Sequence, residues 1–154
     1  MSDNLFLNLP VMRRSLRIGL VYTVLGLAAG IFEQAFTVAN NFTGSSALST
    51  IHTHLLMLGT VMMLIVGIII SLLDIDDDAA LRSFFIVYNA GVAIAVFGQL
   101  WRGVHQVLGT DFSSLVAWYE PALSATSGIG HGLLGVGLLF FFWIVLRGVN
   151  RLSA

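Results

Sequence analysis

The sequence contains no cysteine, which excludes several kinds of site at once. Disulfides, iron–sulfur clusters and thiolate zinc sites need cysteine, and covalent haem attachment needs a C-x-x-C-H run. A metal ion or a haem in this protein would therefore have to be held by histidine, methionine, carboxylate or tyrosine side chains.

Charge is also scarce. Only 10% of the 154 residues are charged and 57% are hydrophobic, whereas about a quarter of the residues are charged in soluble globular domains. Lysine is absent, and seven arginines stand against eight acidic residues, which gives a formal net charge of -1. No basic surface is available for a nucleic acid, so we exclude that class of partner. The composition indicates an integral membrane protein.

Four apolar stretches are long enough to cross a bilayer, whose hydrocarbon core takes about 20 helical residues. They cover roughly residues 16–38, 48–73, 81–108 and 121–146. Between them lie a turn-rich loop at 40–46, a charged and solvated aspartate loop at 74–78, and a polar segment at 109–120. The first stretch is too long for a cleaved signal peptide. We predict one domain over residues 1–154, an all-α, up-and-down four-helix bundle in the lipid bilayer.

The arginines predict the orientation of this bundle. Six of the seven lie at one set of span ends: Arg13, Arg14, Arg17, Arg82, Arg147 and Arg151. By the positive-inside rule, both termini and the aspartate loop are then cytoplasmic.

Ionisable residues inside a bilayer are costly, so each one suggests a functional site. Apart from those at the cytoplasmic ends of the predicted spans, they lie in the half away from the cytoplasm: Glu33, His52, His54, Arg102, His105 and His131. We expect His105, near the end of its helix, to anchor the membrane interface. Gln99 and Asn89 are expected to form hydrogen bonds between helices. The G-x-x-x-G pairs Gly26–Gly30 and Gly128–Gly132 are expected to bring helices close together.

His52 and His54 form an H-x-H pair. Residues two apart on a helix point about 200° away from each other, so one ion cannot easily take both histidines from a regular helix. One could face the bundle interior, and the other a second site, a neighbouring helix or another subunit. His131 lies among four glycines, which would let a flat macrocycle approach the backbone. Because the second and fourth helices are diagonal in such a bundle, His54 and His131 could meet across its interior.

Two facing imidazoles would suit b-type haem, whose iron accepts axial histidines. Arg102 could then neutralise a haem propionate. The alternative is Zn or Cu held by His52, His54 and His131, with Glu33 as a carboxylate ligand. Glu33 could equally accept protons or pair with Arg102 or a histidine.

At these residues the chain resembles a family of small bacterial four-span membrane proteins, the domain-of-unknown-function 2871 family. The matching stretches are PheThrGly (42–44), HisThrHisLeuLeuMetLeuGly (52–59), ArgGly (102–103), GlnValLeuGly (106–109) and SerGlyIleGlyHis (127–131). The resemblance implies the fold and a location in the bacterial cytoplasmic (inner) membrane, and it supplies no activity.

The H-x-H segment is also similar, more distantly, to that of haem–copper oxidase catalytic subunits and nitric-oxide-response haem membrane proteins. In those oxidases the two histidines reach different haems on opposite sides of one helix. This likeness implies that His52 and His54 are candidate axial ligands. The chain is far shorter than those subunits and has no full set of copper-ligand histidines, so we do not expect a complete oxygen-reducing centre.

The leading expectation is a membrane b-type haem protein with His54 and His131 as axial ligands and His52 at a second site or as a gating group. It would act in electron transfer with an unidentified redox partner, in oxygen or nitric oxide chemistry or sensing, or in haem handling. The alternatives are a Zn- or Cu-binding membrane enzyme or transporter and a non-catalytic structural subunit. Since so small a bundle often needs a partner to cover a large cofactor, we expect a homo-oligomer.

Overall fold

The computed structural model describes residues 8–110 and 117–152. These residues form helices α1 (Leu9–Ala39), α2 (Leu48–Leu72), α3 (Ala79–Leu108) and α4 (Tyr119–Leu152). All four are long and apolar enough to cross a membrane, which confirms the four predicted spans and the all-helical bundle. Helices α1 and α4 extend beyond the stretches predicted for them, because polar residues continue a helix past its apolar part.

Local sequence signals set the helix ends. The Asn8 side chain accepts a hydrogen bond from the backbone N–H of Val11, and Pro10 stands in the first turn of α1, where its missing N–H costs nothing. The Asp78 side chain caps α3 by accepting from the N–H of Leu81 at 2.9 Å. Gly109 ends α3 with a φ of 63°, a left-handed conformation that glycine adopts without a steric penalty.

Both ends of the described chain meet the aspartate loop. Ion pairs join Arg14 to Asp77, Arg147 to Asp78 and, at 3.7 Å, Arg151 to Asp76. The Asn8 side chain donates to the carbonyl of Ile75 at 2.7 Å. The loop between α2 and α3 therefore ties the start of α1 to the end of α4. We refer to this end of the bundle as the aspartate end, and to the opposite end as the histidine end.

The helices pack as two antiparallel hairpins. Helix α1 packs along α2 and α3 packs along α4, and the hairpins meet where Leu48–Val61 of α2 contacts α3. Glycines allow the closest approaches. A Cβ added at Gly130 would lie 2.7 Å from the backbone N of Ala95, and one at Gly91 would lie 2.8 Å from the backbone N of Leu134. The α3–α4 interface is thus nearly backbone against backbone.

One of the two predicted glycine pairs makes the expected contacts. Gly26 lies against Leu56 and Gly30 lies beside His52, so this pair does bring α1 close to α2. The expectation for Gly128–Gly132 is wrong within the described residues, because a Cβ at either position would have no neighbour within 4 Å. The reason is the rotation of α4 about its own axis. The face of α4 that contacts α3 carries other glycines, Gly130 and Gly137.

Residues Leu55–Val61 of α2 form a π-helical segment that begins directly after His54. Within it, Gly59 lies against the ring of Tyr22, where a Cβ would come within 2.4 Å of Cγ. The Tyr22 hydroxyl reaches past Gly59 and donates to Asn89 Oδ1 at 2.6 Å, which confirms the interhelical bond predicted for Asn89. The Tyr88 hydroxyl donates to the carbonyl of Leu58 at 2.9 Å. Side chains of α1 and α3 therefore hold this segment from both sides. Such π-segments are rare and frequently mark functional sites.

We expect Gly130→Ala to lower stability markedly, because its methyl group would displace the backbone of α3 at Ala95. Overpacking of this kind costs about 1–3 kcal/mol. The measurement is the thermal midpoint of each purified variant in detergent. Gly128→Ala, two residues away on the same helix and without a neighbour, is the matched control and should leave the midpoint nearly unchanged. Equal effects of the two substitutions would contradict the packing.

The Asp78 carboxyl should make stability depend on pH. Burial raises its pKa, but hydrogen bonds from Arg147 and from the backbone N–H of Leu81 outweigh burial and hold the pKa below its ordinary value. Because the pKa is lower in the folded chain, Asp78 stabilises the fold above the unfolded value of about 3.9 and loses that contribution as the pH falls through the folded value.

Asp78→Asn should therefore lower the thermal midpoint by a few degrees at neutral pH, and the difference from the unchanged protein should shrink as the pH is lowered below about 4. Asp74→Asn serves as the control, since Asp74 is exposed and forms no ion pair among the described residues. A difference that is independent of pH would refute the role of the Asp78 charge.

Candidate functional site

The H-x-H pair divides between two sides of α2. His52 faces α1, where a Cβ added at Gly30 would lie 3.8 Å from the His52 Cβ. His54 faces α3 and α4. Its Nε2 lies 3.0 Å from the Nε2 of Gln99, and its ring centroid lies 6.1 Å from that of His131, with the rings nearly perpendicular at 88°. The structure therefore brings His54 and His131 together, as the diagonal arrangement predicts, and leaves His52 on the other side.

The two facing histidines are held in the same way. The Nδ1 of His54 lies 2.9 Å from the carbonyl oxygen of Thr50, and the Nδ1 of His131 lies 2.8 Å from that of Ser127. A carbonyl oxygen only accepts, so each Nδ1 must carry a proton, and in the neutral imidazole Nε2 then keeps a lone pair. This is the form in which histidine binds metals through Nε2.

Gln99 is the third member of the site. Since His54 Nε2 is an acceptor in this form, the Gln99 amide donates to it and links α3 to α2. The interhelical bond predicted for Gln99 is thus confirmed, although the sequence did not show that its partner is a candidate ligand. The usable signal was a glutamine deep in an apolar span, which has to find a partner on another helix. Its Oε1 is buried and accepts no hydrogen bond from the described residues.

The surface of α4 beside His131 carries almost no side chains. A Cβ added at Gly128, Gly132 or Gly135 would meet no atom within 4 Å, and all three glycines are exposed. His131 itself is exposed. We call Gly128, His131, Gly132 and Gly135 the bare face of α4. It leaves helix backbone open to a flat molecule next to an imidazole.

Arg102 is the positively charged residue of α3 that lies nearest to Gln99 in the sequence. It follows Gln99 by three residues, so the two side chains leave α3 on the same side. Its guanidinium lies 3.5 Å from a carboxylate oxygen of Glu120, and both side chains are substantially exposed. A guanidinium has five N–H donors, so this single ion pair within the described residues leaves donors for a further anion.

The remaining ionisable residues lie elsewhere. His52 Nδ1 is buried without a hydrogen-bond partner among the described residues. Glu33 lies one helical turn after Gly30, and its half-buried carboxylate forms no ion pair within the described chain. His105 packs between the rings of Trp101 and Tyr119, with centroids 5.9 and 5.7 Å away. In residues 8–110 and 117–152, no three histidine or acidic side chains come together in a way that could hold a metal ion.

The four candidate ligands of the Zn or Cu alternative are thus not assembled around one point. His54 and His131 meet, whereas His52 lies on the α1 side of α2. What the arrangement offers is a pair of imidazoles with an open helix face beside one of them.

Comparison with known proteins identifies the family of the chain. No curated protein matches the chain, and no solved structure matches it. A family model described as "Protein of unknown function (DUF2871)" matches residues 12–148, nearly the whole chain. The chain belongs to this family, as the resemblance of its motifs predicts.

Proposed function

We propose that the protein binds b-type haem with His54 and His131 as its axial ligands. The observation that carries this proposal is the distance between the two rings, whose centroids are 6.1 Å apart. Two imidazoles that bind one metal ion from opposite sides, each through a bond of about 2.0 Å, have centroids roughly 6 Å apart. A separation of this size supports a bis-histidine site.

The tautomers and the bare face of α4 support the same function. Both Nδ1 atoms are bonded to helix carbonyls, so the Nε2 of His131 is left for a ligand, and the Nε2 of His54 is available once the Gln99 amide releases it. The flat edge of a porphyrin fits against the exposed glycines next to His131. An imidazole exposed on an apolar helix is costly in a lipid bilayer. A cofactor over this face removes that cost, which plain helix packing does not do here.

In this proposal Arg102 binds a haem propionate through its unoccupied N–H donors. The haem supplies one-electron redox chemistry and a coordination position for diatomic gases. The protein would use it in electron transfer, in oxygen or nitric oxide chemistry or sensing, or in haem handling. His52, on the α1 side of α2, is not a ligand of this iron.

The proposal includes a location. With the arginine-rich aspartate end in the cytoplasm, the haem lies in the half of the bacterial cytoplasmic membrane away from it. The bare face of α4 is large and open for a single chain, so the proposal also includes a homo-oligomer that covers the cofactor.

A structural role is the competing interpretation, and one observation favours it. Both nitrogens of His54 already have hydrogen-bond partners, Thr50 and Gln99, so this histidine is satisfied without a ligand. In that interpretation the polar cluster only fixes the packing of α2, α3 and α4.

Hemin titration of the purified protein in detergent tests the haem proposal. We expect stoichiometric uptake, a Soret band that shifts on reduction with dithionite, and iron in the elemental analysis in equal amount to the porphyrin measured by absorption. The double variant His54→Phe/His131→Phe keeps the ring volumes and should bind hemin at least about tenfold more weakly. His105→Phe, which retains an aromatic ring between Trp101 and Tyr119, is the matched control and should bind like the unchanged protein.

Folded protein that takes up no hemin would reject the proposal. Zinc or copper in the preparation without porphyrin would favour the transition-metal alternative. If the double variant changes the thermal midpoint and the assembly, but hemin uptake is absent throughout, the structural role remains.

A further inference from the structure

We infer that His131 is the permanent ligand of the haem and that His54 is an exchangeable one, which Gln99 holds when a diatomic ligand takes its place on the iron. This inference rests on the proposed function and assigns unequal roles to the two histidines.

The asymmetry lies in the Nε2 atoms. The Gln99 amide, 3.0 Å away, donates to the Nε2 of His54. For His131, the one hydrogen bond within the described chain is at Nδ1, and its Nε2 receives none. The Nε2 lone pair of a histidine can accept a hydrogen bond or bind an iron ion, but it cannot do both at once. His54 therefore has an alternative to the iron within the protein, and His131 does not.

This difference decides which bond to iron opens more easily. An acceptor that faces lipid, or that is buried in the protein, and finds no hydrogen bond carries the cost of its desolvation. When His54 leaves the iron, the Gln99 N–H satisfies its nitrogen, and the ring stays close to the site. His131 would leave its nitrogen unsatisfied. Dissociation of His54 from the iron therefore costs less free energy than dissociation of His131.

The helix geometry points the same way. His54 immediately precedes the π-helical segment Leu55–Val61, and segments of this kind are frequently found at functional sites. His131 stands within the continuous α-helix Tyr119–Leu152. The helix is therefore irregular next to His54 and regular around His131.

The position that His54 vacates suits a small neutral molecule. It lies between apolar helices, beside an amide that has a second N–H and a buried Oε1 without a partner. A diatomic gas such as carbon monoxide, nitric oxide or oxygen is small enough to enter and binds haem iron directly. Among the functions in the proposal, this geometry favours gas binding over simple electron transfer.

The test uses the full-length protein loaded with hemin in detergent, reduced with dithionite, and carbon monoxide as the probe. His54→Phe should keep its haem, show a five-coordinate spectrum and bind carbon monoxide faster than the unchanged protein. His131→Phe should bind hemin at least about tenfold more weakly than His54→Phe does. Added imidazole should restore haem binding to His131→Ala, a second variant that serves if the phenylalanine variant does not fold.

Gln99→Leu separates the role of Gln99 from simple packing. Without the hydrogen bond from Gln99, His54 is less stable when it is dissociated from the iron. The population of the six-coordinate form should therefore rise, and carbon monoxide should bind roughly 3- to 10-fold more weakly. Gln34→Leu is the matched control, since Gln34 is an exposed glutamine of α1. It should bind carbon monoxide like the unchanged protein.

Equal losses of hemin affinity in His54→Phe and His131→Phe would overturn the inference and leave the haem proposal standing. So would a Gln99→Leu variant with the carbon monoxide affinity of Gln34→Leu. If the unchanged protein takes up no hemin, the proposed function itself fails.

Discussion

Polar groups on helices that are apolar enough to cross a membrane have to be satisfied within the protein, because lipid offers them no hydrogen bonds. The interior of this bundle is organised by that requirement. Tyr88, Asn89 and Gln99 all belong to α3, and each bonds to another helix, at Leu58 and His54 of α2 or at Tyr22 of α1. Helix α3 also packs along α4. It is therefore the helix through which the other three are positioned.

Glycines make these bonds possible. Gly59 lets the Tyr22 ring pass over α2 towards Asn89, and Gly130 lets α4 approach the backbone of α3 at Ala95. In a bilayer, close van der Waals contact replaces much of the hydrophobic driving force between helices. The short distances at these glycines are therefore a main source of stability, and they fix the depth at which polar side chains from different helices meet.

Sequence reasoning predicted the parts of the structure that follow from regular periodicity. Long apolar runs identified the four helices, and the rotation per residue separated His52 from His54. The diagonal arrangement of the second and fourth helices then paired His54 with His131. It could not predict the π-segment, since i to i+5 bonding in Leu55–Val61 leaves no pattern in composition. The G-x-x-x-G spacing likewise does not say which face of a helix meets a neighbour, so Gly128 was expected where Gly130 lies.

The bare face of α4 differs from the other glycine positions of the bundle in its packing. Every other helical glycine in the described residues contacts another part of the chain, whereas Gly128, Gly132 and Gly135 contact none. They lie beside the exposed His131, whose Nε2 has no hydrogen-bond partner among the described residues. A bilayer would leave this nitrogen without a partner, whereas the helix backbone at the glycines keeps its own hydrogen bonds. A flat ligand that binds the nitrogen and packs on the open glycines would satisfy it, and this is the physical argument for the proposed cofactor on α4.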